Sequence, residues 1–88
     1  MFAMTRYLVT VSPSSVRTTL TDEDLAAIEA RLVHARLYPR EYDVRVLLYA
    51  YNREHAQRIV EDALRALPAA VPELGVTNVV AVKARRAA

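Results

Sequence analysis

Apolar residues recur along this chain in two different periods, and each change of period marks an element. Residues 6–11 read Arg-Tyr-Leu-Val-Thr-Val, rich in β-branched and aromatic side chains, and run into Ser12-Pro13-Ser14-Ser15. That pattern predicts a strand followed by a turn. Residues 16–19 follow neither period and read as loop or a short extension. Thr21 then precedes Asp22, Glu23 and Asp24, with Leu25, Ile28 and Leu32 at helical spacing behind them. A threonine hydroxyl caps the free amides of a first helical turn, and carboxylates there meet the positive end of the helix dipole, so a helix starts at 22. Leu20 and Leu25 bracket the cap as a hydrophobic staple. Capping accounts for all three carboxylates without a metal.

From Val33 the period shortens to two. Val33, Ala35 and Leu37 alternate with His34, Arg36 and Tyr38 as far as Pro39-Arg40-Glu41. This predicts a second strand over 33–37, the alternative being a first helix that continues to Leu37. Residues 42–51 give the strongest strand signal, with Val44, Val46, Leu48 and Ala50 on one face and Arg45, Leu47, Tyr49 and Tyr51 on the other. Asn52 caps a second helix, whose Ala56, Ile59, Val60, Ala63, Leu64 and Leu67 form one apolar stripe. Glu54 with Arg58 and Glu61 with Arg65 have the i,i+4 spacing of helical ion pairs. Pro68 stops this helix, Pro72 and Gly75 mark a loop, and residues 76–84 make the last strand. Residues 1–4 and 85–88 read as flexible ends, with Met4 an alternative start.

The order is therefore βαββαβ. It predicts one α+β domain over 1–88 with a ferredoxin-like arrangement, two helices covering one face of a four-stranded antiparallel sheet. Were 33–37 helical, the fold would fall back to a three-stranded βαβαβ form with the same helix layer. Both versions leave one sheet face open.

Composition narrows the chemistry. At 53% hydrophobic and 25% charged the chain is an ordinary globular sequence, and 88 residues allow a single small core that association would help to stabilise. The absence of cysteine removes disulfides, thiolate nucleophiles and Cys-ligated zinc. No apolar run approaches the ~20 residues that cross a bilayer, and the start has no signal-peptide pattern, so the expected location is cytoplasmic. Eleven arginines to one lysine, Lys83, reflect GC-rich coding, compatible with a bacterial, plasmid or phage origin. The net charge of +2 is spread along the chain and points only weakly to a polyanion.

A single glycine excludes glycine-rich phosphate loops. Ser12, Ser14 and Ser15 are turn formers with no base beside them. His34 and His55 lack metal-ligand spacing. The carboxylate pairs Asp22/Asp24 and Glu61/Asp62 fall on a capping turn and a polar helix stripe, not in a cleft that would separate their pKa values. The expectation is a protein with no catalytic residue, metal, cofactor or small-molecule substrate, and not an enzyme.

What remains is the open sheet face. If Tyr7, Val9 and Val11 point to the helices, the open face receives Leu8, Thr10, Leu47, Tyr49, Tyr51, Val79 and Ala81, with His34, Arg36 and Tyr38 at one side. An apolar centre ringed by Arg and Tyr is interface composition. It predicts a protein–protein interaction or assembly module, a homo-oligomer or a subunit of a larger assembly, whose partner is itself or another protein. The alternative is a small nucleic-acid-binding regulator using Arg36, Tyr38, Arg45, Tyr49, Lys83, Arg85 and Arg86. The RNA-recognition motif has the same strand order and stacks bases on aromatics of its two central strands. Residues 43–50 do not carry that family's glycine and aromatic order, so the alternative rests on the Arg and Tyr side chains of the sheet and on the basic C-terminal tail.

Overall fold

A computed structural model describes residues 3–15 and 18–83. Six elements follow one another: β1 (Thr5–Pro13), α1 (Asp22–Arg31), β2 (Arg36–Pro39), β3 (Val44–Ala50), α2 (Arg53–Arg65) and β4 (Leu74–Val82). The strands form one antiparallel sheet in the order β2-β3-β1-β4. This is the ferredoxin-like α+β arrangement, with β1 and β3 central, and the four-stranded form is the one adopted.

The core lies between the sheet and the helices. Tyr7, Val9 and Val11 of β1 and Val44, Val46, Leu48 and Ala50 of β3 are buried on the covered face. Ile28 and Leu32 from the first helix and Ala56, Val60 and Ala63 from the second close over them. Alanines at 56 and 63 leave little side chain between α2 and the strands, which lets that helix approach closely. Arg31 straps the layer together: its Nε donates to the Ala66 carbonyl oxygen at 2.8 Å and its Nη1 to that of Ala27 at 3.0 Å.

Both helix starts form as their sequences predict. The Asp24 N–H donates to Thr21 Oγ1 at 3.1 Å and the Thr21 N–H to Asp24 Oδ2 at 2.9 Å, a reciprocal cap. Leu20 and Leu25 pack against the core on either side of it. At α2 the His55 N–H donates to Asn52 Oδ1 at 2.7 Å. On its polar face Arg65 pairs with Asp62 at 2.6 Å, not with the expected Glu61, and Glu61 instead accepts from Gln57 at 3.4 Å. Such exposed pairs contribute little.

Every strand differs at its ends from the sequence pattern: β1 extends to Thr5 and through Ser12-Pro13, which the pattern assigns to a turn, and β3 is trimmed to Val44–Ala50. The first helix stops at Arg31, Val33 and His34 form a turn with Val33 80% exposed, and β2 begins only at Arg36. It then includes Pro39, which the pattern assigns to a turn. The turn is Glu41-Tyr42, closed by the Arg40 N–H donating to the Asp43 carbonyl at 2.8 Å. Because bonded and non-bonded pairs alternate along an antiparallel ladder, Pro39 opposite Val44 is a non-bonded position, and its missing N–H faces outward on an edge strand. β4 also begins earlier, at Leu74, and ends at Val82. Residues 1–2, 16–17 and 84–88, which include part of the ambiguous loop and the Arg85–Arg86 tail, lie outside the described residues.

The pairing of β4 with β1 is irregular between Thr10 and Val11, which face Asn78 and Val76. Thr77 is the extra residue. Its hydroxyl donates to the Thr10 carbonyl at 3.4 Å and lies 3.2 Å from Ser12 Oγ, fixing the bulge. Just before it, Gly75 occupies an ordinary strand conformation, and a Cβ there would meet nothing within 4 Å. Gly75→Ala is therefore expected to raise stability by about 0.4–1 kcal/mol by restricting the unfolded chain; urea unfolding of the two proteins checks this.

Candidate sheet-face interface

The cross-strand register arranges the uncovered face in three rows. The middle row runs Arg36, Leu47, Leu8, Val80 across all four strands. On one side of it lies Tyr49, Arg6, Val82, and on the other Tyr38, Arg45, Thr10, Asn78. Three aliphatic side chains thus stand side by side in the middle of the face. No helix covers them: Leu8 and Leu47 are half-buried by their neighbours alone, and Val80 is 47% exposed. Tyr38 and Tyr49 are exposed at the flanks.

The face is also polarised. Its strand positions carry Arg6, Arg36 and Arg45 and no carboxylate, whereas α1 and α2 carry seven carboxylates against four arginines. Asp43, just before β3, has its Oδ1 3.4 Å from Arg40 Nε, an ion pair without hydrogen-bond geometry, for that oxygen is buried with no hydrogen-bond partner among the described residues. Arg45 Nε is buried with no hydrogen-bond partner among the described residues.

Of the positions assigned to this face from sequence, Leu8, Thr10, Leu47, Tyr49, Arg36, Tyr38 and Arg45 do lie together on it. Three do not. Val79 pairs with Val9 and is buried in the core, 5% exposed, and Ala81 pairs with Tyr7 on the same covered side. The cause is the bulge: an extra residue at Thr77 reverses the alternation, so Val76 and Val79, three apart, share a face. Val80 and Val82 take the places assigned to Val79 and Ala81. Tyr51 lies beyond the end of β3, where strand alternation no longer applies. Its ring stacks on His55 with centroids 5.2 Å apart, and its N–H donates to His55 Nδ1 at 3.1 Å. His55, expected as a solvated side chain, thereby helps seat the chain entering α2.

Arg6 is the functional candidate that sequence reading leaves out, although its parity with Leu8 places it on the face. Lys83 follows β4 and is exposed at the same end as Arg6; Arg85 and Arg86 lie outside the described residues. His34 sits in the turn before β2. Beside it, Leu32, Val33, Ala35, Leu48 and Ile59 line an apolar groove that Met4, expected in a flexible end, helps to close. Among the described residues no cluster of three or more His, Cys, Asp or Glu side chains is placed to hold a metal ion, and no helix is long and apolar enough to cross a membrane. Comparison with protein-family models, with curated proteins and with solved structures finds no match.

Proposed function

We propose that this protein is a non-enzymatic, cytoplasmic association module that docks a protein partner on its open sheet face, in a homo-oligomer or as a subunit of a larger assembly. The row Leu47–Leu8–Val80 carries this reading. Three aliphatic side chains in register across three strands give a contiguous apolar strip that no helix covers among the described residues. Arginine and tyrosine around an apolar strip are the residues that interfaces favour. The charge of the face defines the partner further. Two copies stacked face to face would set arginine against arginine, whereas a surface bearing Asp or Glu beside apolar residues would be complementary.

Selection of random displayed peptides on the immobilised protein tests this directly. The peptides recovered are expected to combine acidic with apolar residues. Their affinity should fall by about tenfold or more on Leu47→Asp, because the strip is broken at its centre. Peptides that bind both proteins equally would sink the reading.

The cationic polarity, with Tyr38 and Tyr49 exposed, also favours single-stranded nucleic acid as a second reading. Bases stacked on Tyr49 would each contribute about 1–3 kcal/mol, and the arginines would make binding fall steeply with salt. Tyr49→Ala and Arg45→Ala should then each weaken retention on single-stranded oligonucleotides at low salt. A wild-type protein that is not retained there eliminates this reading.

A further inference from the structure

The two edges of the sheet are built differently. An unpaired edge strand offers a row of backbone donors and acceptors to any passing strand, and proteins guard such edges with short length, charge or proline. β2 is guarded on all three counts, with four residues, Arg36 and the outward-facing Pro39. β4 is not. Its nine residues, Leu-Gly-Val-Thr-Asn-Val-Val-Ala-Val, include no charge and no proline, and Glu73 and Lys83 stand just outside it. Thr77, Asn78, Val80 and Ala81 are all exposed.

One hydrogen bond fixes which way the backbone of this edge points. The Ser14 N–H donates to the Glu73 carbonyl at 2.9 Å. Bonding direction alternates along a strand, so the even-numbered residues of β1 face β4. Leu8 with Val80 and Arg6 with Val82 are then bonded pairs, and the N–H and C=O groups of Val79 and Ala81 point out of the sheet. The bulge at Thr77 limits the regular part of the edge to residues 78–82.

We infer that a second copy of this chain pairs antiparallel along this edge, about a twofold axis at Val80. In that register each copy's Val79 bonds the other's Ala81, so all the outward groups of the regular stretch are used. A register centred on Val79 would set Ala81 against the bulge, and one centred on Ala81 would set Val79 against Lys83. Val80 meets its own counterpart as a non-bonded pair, which makes the strip Leu47–Leu8–Val80 continuous across an eight-stranded sheet. The inference goes beyond the docking role of the open face and uses a different surface, so either can fail without the other.

The chain has no cysteine, so Val80→Cys places a single thiol on the proposed axis. Non-bonded antiparallel pairs bring their Cα atoms to about 4.5 Å, within the ~4.4–6.8 Å that a disulfide spans. At micromolar concentration the wild-type protein should sediment at twice its 9.9 kDa. Under mild oxidation Val80→Cys should cross-link about tenfold or more faster than Asn78→Cys, whose thiol would face Val82 of the second copy. Ala81→Pro, which removes an outward N–H and keeps the bonds to β1, should sediment as a folded monomer, and Leu47→Asp should remain a dimer. A wild-type mass of 9.9 kDa throughout overturns the inference. So does equal cross-linking of the two cysteine variants, a dimer that survives Ala81→Pro, or a dimer lost in Leu47→Asp, which would assign self-association to the open face. Should Ala81→Pro fail to fold, the paired cysteine rates decide by themselves.

Discussion

Val46→Asp is expected to unfold the protein. Val46 is fully buried on the central strand β3, between Val9 on one side and Leu37 on the other. Among the described residues no polar or charged side chain is buried in the core, so the new carboxylate would have no partner. An unpaired buried charge costs several kcal/mol, comparable with the total of about 5–15 kcal/mol that holds a small domain together. Circular dichroism should show loss of the folded signal. Its neighbour Leu47→Asp should keep that signal and a cooperative transition. Leu47 points to the open face with Arg36 directly opposite, so an aspartate there stays hydrated and gains an opposite charge. Unfolding by Leu47→Asp with a folded Val46→Asp would invert the register of β3 and discard the open-face description.

The corresponding pair on β4 separates the bulged strand from a regular one. Val79→Asp should lower stability by about 3 kcal/mol or more, because Val79 is in the core against Val9. Val80→Asp should cost the isolated protomer less than about 1 kcal/mol, because there its side chain meets solvent; both variants are compared as monomers, at dilution below dimer formation. In urea the first variant's midpoint should fall by about 2 M relative to the second. Strict alternation counted from Val76 would give the opposite ranking. Equal midpoints, or a reversed order, would mean that no bulge lies at Thr77.

These two strands also show what the chain makes legible. β3 and α2 each keep one period without interruption, so their buried faces follow directly from residue spacing, while β3 is shorter at both ends than the 42–51 the pattern predicts and α2 ends at Arg65, before Leu67. Val79 to Val82 are apolar on both parities, so a one-residue shift leaves no mark in the pattern. The sole local sign is the polar pair Thr77-Asn78 breaking the alternation two residues after Gly75. The start of β2 is obscured for a different reason. Val33 continues the alternation of Ala35 and Leu37, yet the helix needs a buried Leu32 at its end, and turning back to the sheet leaves Val33 in solvent. Tyr51 has the parity of Leu47 and Tyr49, but the cap of α2 takes its backbone and His55 takes its ring. In the open face, the arginines and tyrosines can be placed from sequence once β3 is known, whereas the contribution of β4 depends on a long-range register.

The strand order has a consequence for how the chain reaches its folded state. β1 is made first and lies at the centre, yet its nearest partner in sequence begins at Val44 and its other neighbour ends at Val82. During synthesis the central strand therefore precedes both of its partners by a long stretch of chain, and such distant pairings fold slowly. The same geometry sets Arg6 beside Val82, so the outer ends of the first and last strands are neighbours. A circular permutant joined there and opened at Glu41-Tyr42 would keep every strand pairing while making β4 and β1 consecutive. The eight-pair β1–β4 ladder would become local and the four-pair β2–β3 ladder distant, so on balance it should fold faster than the natural order without gaining a single contact.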